Sequence, residues 1–242
     1  MKRTALNEIE TRMATGPQMK DVYATAIQAV PELTFEEATM FLRDKSTHIA
    51  KIRACFPKAT TKNDVVASWE LFYREIFSLT VDLSMLKLPP RREGFDRLIV
   101  VAEGLTPNQV YATCEKHFPC SSYYKDLDAS VPKNDRVPME TYAIWVRDRV
   151  EADEELKNLS ADDLVDKKTN GETLLERMLH ELKYFLETGK HLDLENWTLC
   201  NGSRDSGGRV PDANWYGGFF RVSWDCRDHR SPRLRSREVV TL

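Results

Sequence analysis

Two Cys-x-x-His pairs stand out among the residues able to hold a metal: Cys114 with His117, and Cys226 with His229. A spacing of three turns both side chains to one face of a helix, so a thiolate and an imidazole from each pair would complete a tetrahedral Cys2His2 zinc site. The pairs lie far apart and the more usual Cys-x-x-Cys is missing. Buried cysteines and surface histidines are therefore the favoured expectation, with no cofactor and zinc as the alternative. A second constellation is polar. Arg147, Asp148, Arg149 and Glu151 follow one expected strand, and Ser203, Arg204, Asp205 and Ser206 follow another. If those strand ends meet, Arg147 and Arg204 could grip a phosphate while Asp148 or Asp205 serves as base or metal ligand. Salt bridges and a turn are the simpler outcome.

Aromatic residues gather near the C-terminus, with Trp197, Trp215, Tyr216, Phe219, Phe220 and Trp224. Exposed beside arginines they could stack bases, but their alternation along strands fits a core face better. The tail adds Arg230, Arg233, Arg235 and Arg237, able to touch the phosphates of a nucleic acid, or simply solvated. Phosphate-loop, dinucleotide-loop, nucleophile-elbow and Cys-x-x-Cys signatures are absent. His180-Glu181-Leu182-Lys183-Tyr184 begins like a zinc-protease helix, but Tyr184 occupies the position of the second histidine.

The elements that must position these groups are legible from spacing. Thr34-Phe35-Glu36-Glu37 is a capping box and predicts a helix over 35–45; Val65, Trp69, Phe72, Tyr73 and Ile76 predict a second with a broad aromatic face. Residues 88–94, with a double proline, two arginines and a glycine, read as a junction. The β-branched run over 97–103 predicts a central strand covered on both faces, and Thr106-Pro107-Asn108-Gln109 starts a helix after it. TYAIWVR predicts a strand beside the first. Residues 151–170 are acidic, with a capping signature at Ser160, and predict a solvated helical surface. The clearest helix spans 172–188, with an apolar stripe that must cover the sheet and Gly189 as its stop. An antiparallel meander follows, turning at Gly217-Gly218.

The 242 residues are enough for one large domain or two small ones. With 41% hydrophobic and 30% charged residues the chain is not too polar to collapse, and no apolar run approaches the ~18 residues of a membrane helix. The N-terminus carries no apolar stretch of signal-peptide type and the cysteines number five, so reduced thiols and a cytoplasmic location are expected. The net charge of -3 conceals an asymmetry: 151–195 carry -7 and 196–242 carry +3. That acidic block argues against a chain wrapped in nucleic acid on every side.

The blocks GFDRLIVVAEGLTPNQVY, YAIWVRDRVEADEELKNLSA, TLLERMLHELKYFLETGKHLD and TLCNGSRDSGGRVP resemble an uncharacterised family of bacterial hypothetical proteins from uncultured lineages. The resemblance covers roughly the last 150 residues and implies no activity, cofactor or catalytic residue. The residues therefore carry the expectation: an α+β protein, with a helical N-terminal region over 1–93 and an α+β domain over 94–242. That domain holds a mixed sheet with a βα unit, a long covering helix and the meander. Its expected role is a non-catalytic binding or interaction module for a protein partner, without membrane contact. The alternatives are an enzyme acting on a phosphate-containing substrate or nucleotide, and a binder of RNA or single-stranded DNA.

Overall fold

Local capping sets the helices. In a computed structural model, which describes residues 34–43 and 62–242, Thr34 and Glu37 satisfy each other's backbone donors at the start of α1, Phe35–Arg43. The helical expectation for 1–33 and 44–61, and Cys55 with it, lies outside the described residues. Chain contacts separate two units, 1–68 and 69–242, and the division falls within α2, Lys62–Phe77.

In the second unit the aromatic face of α2 has a specific task. Strand β1, Arg97–Val101, pairs on one side only among the described residues, antiparallel to β4, Tyr142–Val146. Its other edge is closed by side chains: Trp69 Nε1 donates to the Leu98 carbonyl at 3.2 Å. The Tyr73 hydroxyl donates to the Val100 carbonyl at 2.6 Å and accepts from Ala102 N at 3.0 Å. The expected central strand is thus half of a two-stranded ladder, buried by aromatic residues where a further strand was expected. The β-branched run recorded burial, which aromatic packing supplies as well as a sheet does. Residues 88–94 belong to this unit too, with Trp145 Nε1 donating to the Pro89 carbonyl at 3.1 Å and the Arg91 guanidinium 3.7 Å above the Trp145 ring.

Helix α3, Pro107–His117, follows β1 from its Thr106 capping box and leads into β2, Cys120–Ser122. After the short α4, Leu127–Ser130, come β3, Lys133–Asn134, then β4. Helix α5, Ala161–Asp166, starts at the Ser160 box, and α6, Leu174–Thr188, runs from Thr173 to a left-handed Gly189 at φ 69°. The meander is β5, Trp197–Leu199; β7, Val210–Tyr216; and β8, Phe219–Asp225, with β6, Ser203–Arg204, paired to β3 between them. Both residues of the Gly217-Gly218 turn have positive φ, as this tight hairpin requires. A last strand, β9, Leu234–Arg235, completes a five-stranded sheet of order β2-β8-β7-β5-β9, with parallel edges and an antiparallel centre. The protein is α+β with a mixed sheet, although β1 and its following helix begin outside that sheet.

The acidic stretch keeps a solvated outer side, with Glu154, Glu155 and Asp166 exposed, and its inner side is a cover: Leu156, Ala161 and Leu164 pack on Leu199, Val210 and Leu234 across one face of the sheet. One expectation about solvation is corrected. The arginine tail is woven in through β9 and a bridge from Val240 to Trp145. Helix α6 is also enclosed on every side over 174–184, so its polar residues are buried with its apolar stripe.

Candidate binding groove

The residues singled out by spacing are mostly occupied by neighbours in the fold. Arg147 donates to Asp153 at 2.5 Å and to Glu238 at 2.9 Å, while Asp148 accepts from Arg97 at 2.7 Å. Arg204 donates to the carbonyls of Asn201 and Ser203 at 2.8 and 2.7 Å. Asp205 accepts from the Arg209 backbone and guanidinium at 2.8 and 2.6 Å. No hydrogen bond or ion pair joins one strand-end cluster to the other among the described residues. The first cluster ties β4 to the tail, and the second closes a tight loop.

The two Cys-x-x-His pairs sit in different settings. Cys114 is buried in α3 while His117 is exposed, and the exposed Cys226 lies near His229, whose Nδ1 bonds Asp225. Among the described residues no group of three or more His, Cys, Asp or Glu is placed to hold a metal ion. The tail arginines find the acidic block instead of phosphate: Arg230 pairs with Asp163 at 2.6 Å and Arg235 with Glu154. Arg237, only 1% exposed, bonds Asp193 at 2.7 Å and the Val150 carbonyl at 2.7 Å. Arg233 alone of these four makes no ion pair among the described residues, and burial removes Arg237 from any external partner.

Around α6 the buried charges balance. Arg177 pairs with Glu181 at 2.9 Å and Asp193 at 2.8 Å, and Asp193 also takes Arg237, so two cations face two carboxylates. Burial alone would push Asp193 up, but Arg237 and Arg177 overrule it and hold the carboxyl below its ordinary range. Glu172 is a fifth charge without a cation of its own, and burial pushes it up to about 8 against the pull of Arg237 and Arg177. Its Oε1 lies 2.9 Å from His180 Nδ1, while Glu172 Oε2 and His180 Nε2 have no hydrogen-bond partner among the described residues. Burial, then the field of Arg237, drives His180 well below its usual value. The pair is neutral and sealed, so a substrate has no route to it.

The unoccupied polar groups are on the five-stranded sheet. Alternation puts Phe219, Arg221, Ser223 and Asp225 of β8 on one face, and register places Tyr216, Asn214 and Asp212 of β7 opposite the first three. This is the face that the acidic cover buries over β5 and β9, but the cover stops short of β8. Beyond it lies a shallow groove of about 460 Å³ between the glycine hairpin and Ser121 of β2. Its rim is aromatic, with Tyr216 60% and Phe219 47% exposed. Arg221 lines the groove and makes no ion pair or hydrogen bond among the described residues. At the edge of the cover Asp212 is 5% exposed, and its carboxylate likewise accepts no hydrogen bond. Burial, then nearby Asp225, pushes it up to about 7 while Arg221 and His229 pull it back.

Sequence reasoning placed the aromatic residues in the meander and favoured core packing. That holds for Phe220, while Trp224 lies beneath the Arg209 guanidinium at 3.8 Å and Tyr216 and Phe219 stay open. Arg221 and Asp212 were missed, although both sit in the strand alternation at odd-and-even positions that the hairpin register would pair on one face. No protein-family model matches the chain, and neither a curated protein nor a solved structure does.

Proposed function

We propose that this chain is a binding module whose ligand site is the open half of the sheet face, and that the ligand joins an anionic group to a planar apolar one. The observation carrying this reading is Arg221, an arginine without a partner among the described residues, next along the same face from the opposed and exposed Tyr216 and Phe219. A guanidinium recognises carboxylate or phosphate in bidentate fashion, and flanking rings offer flat surface for an apolar group. The nucleic-acid alternative is less favoured, because Arg230, Arg235 and Arg237 are held by acidic partners of the same chain. The enzymatic alternative through Arg147, Asp148, Arg204 and Asp205 is less favoured because each of the four is engaged by other groups of the chain.

The test is a calorimetric titration with 3-phenylpropionate and phenyl phosphate. For ligands this small, saturable binding with a Kd of about 1 mM is expected, weakening about tenfold in Arg221→Ala. Arg221 is a surface residue, so the variant keeps the fold. Failure of both anions to saturate, or equal binding by Arg221→Ala, would overturn the reading.

A further inference from the structure

We propose, resting on the binding reading above, that the groove selects a zwitterion: Arg221 takes the anionic group and Asp212 takes an ammonium group on the same ligand, an aromatic α-amino acid being the simplest case. The argument begins with two opposite charges that do not meet. Asp212 lies directly across from Ser223, two residues along β8 from Arg221, so Asp212 and Arg221 are diagonal neighbours on one sheet face. Such neighbours have Cα atoms about 7–8 Å apart, within reach of an arginine side chain. Yet they form no ion pair, and neither has another partner among the described residues.

Buried carboxylates are almost always bonded, because removal from water without replacement is costly. Asp212 is 5% exposed and accepts no hydrogen bond among the described residues, yet its carboxylate oxygens are not fully enclosed, and register sets it opposite Ser223, which lines the groove with Arg221. Its neighbour Asp225 is already engaged by His229. An ammonium group brings three donors and no acceptor, matching Asp212, Asp225 and the Ser223 hydroxyl, which all project from the same face. The ammonium and carboxylate of an α-amino acid are close enough to bridge the gap that the two protein charges leave. Its ring would then lie toward Phe219 and Tyr216, at the hairpin end of the same face.

The charged groups acting on Asp212 are Asp225, Arg221 and His229, and the titratable Tyr124 and Cys200 also face it. Near pH 6.5 part of the Asp212 population is protonated, and an arriving ammonium favours the carboxylate, so binding expels protons. Calorimetry with L-phenylalanine, 3-phenylpropionate and phenethylamine at pH 8 separates the contributions. L-Phenylalanine is expected to bind about tenfold tighter than either of the others, and Asp212→Asn to abolish that advantage while leaving 3-phenylpropionate unchanged. At pH 6.5, titrations in two buffers of different ionisation heat should register proton release with L-phenylalanine and phenethylamine and none with 3-phenylpropionate.

L-Phenylalanine binding no tighter than 3-phenylpropionate, or an advantage that survives Asp212→Asn, would overturn the inference. If 3-phenylpropionate binds through Arg221 without that advantage, only the zwitterion proposal falls. If none of the three binds, the reading of the groove falls with it. The comparison among ligands uses the native chain and stands even if the variant fails to fold.

Discussion

At the scale of single residues, the sealed pair of Glu172 and His180 makes a pH-dependent contribution whose sign can be worked out. Folded Glu172 keeps its proton to about pH 8, whereas an unfolded glutamate loses it near 4.5. Between those values the unfolded state binds fewer protons than the folded one, so stability falls as pH rises, by about 1 kcal/mol per unit, and levels off above pH 8. His180 acts in the opposite direction. Held neutral by burial, it lowers stability as pH falls below about 6.5, where the unfolded imidazole protonates. Glu172→Gln keeps an amide near His180 Nδ1 and removes only the first effect. Urea midpoints from pH 5 to 9 should therefore show a steeper alkaline decline for the native chain than for Glu172→Gln; parallel profiles would mean that Glu172 is ionised in the fold.

At the scale of elements, two glycines beside α6 show how differently a local and a distant constraint act. Gly189 closes the helix in the left-handed region, with its amide bonded to the Phe185 carbonyl at 2.7 Å. Alanine there incurs the backbone penalty of the left-handed region, about 1 kcal/mol. Gly171 precedes the same helix and bridges to Glu238. A Cβ on Gly171 would lie 1.7 Å from Asn201 Oδ1 and 2.7 Å from Ser236 Oγ, so alanine must displace two side chains that bond each other. Denaturant titration should rank Gly171→Ala as the more damaging change; the reverse order would show that Asn201 and Ser236 yield easily. The first glycine was legible as a helix stop. The second gave no signal, because the atoms that crowd it come from residues 30 and more positions away.

At the scale of the whole molecule, the C-terminal tail is a strut. It supplies β9, bridges β4 at Val240 and inserts Arg237 beside Asp193, where Arg177 and Thr198 also converge. Replacing Arg237 by Met preserves much of its volume but leaves Asp193 with one cation fewer in a dry interior. A loss of about 3–5 kcal/mol is expected from chemical denaturation. A small loss would mean that Arg177 alone compensates Asp193. This arrangement also accounts for the charge asymmetry along the chain: the basic end neutralises the acidic stretch through Asp162 with Arg227, Asp163 with Arg230, and Glu154 with Arg235.

Elements governed by near neighbours along the chain are legible before any folding is known. Helix starts at Thr34, Thr106, Ser160 and Thr173 follow from side chains three residues away, the stop at Gly189 from a backbone preference, and the meander from alternation and a glycine pair. Tertiary structure alone decided which polar residues would be consumed and which left open. Arg147 reaches Glu238 across 91 positions and Arg237 reaches Asp193 across 44, while the cover over the sheet ends before β8 and leaves Arg221 and Asp212 unbonded. A charge's role depends on its burial and partners, and both are set by chain segments that no local pattern brings together.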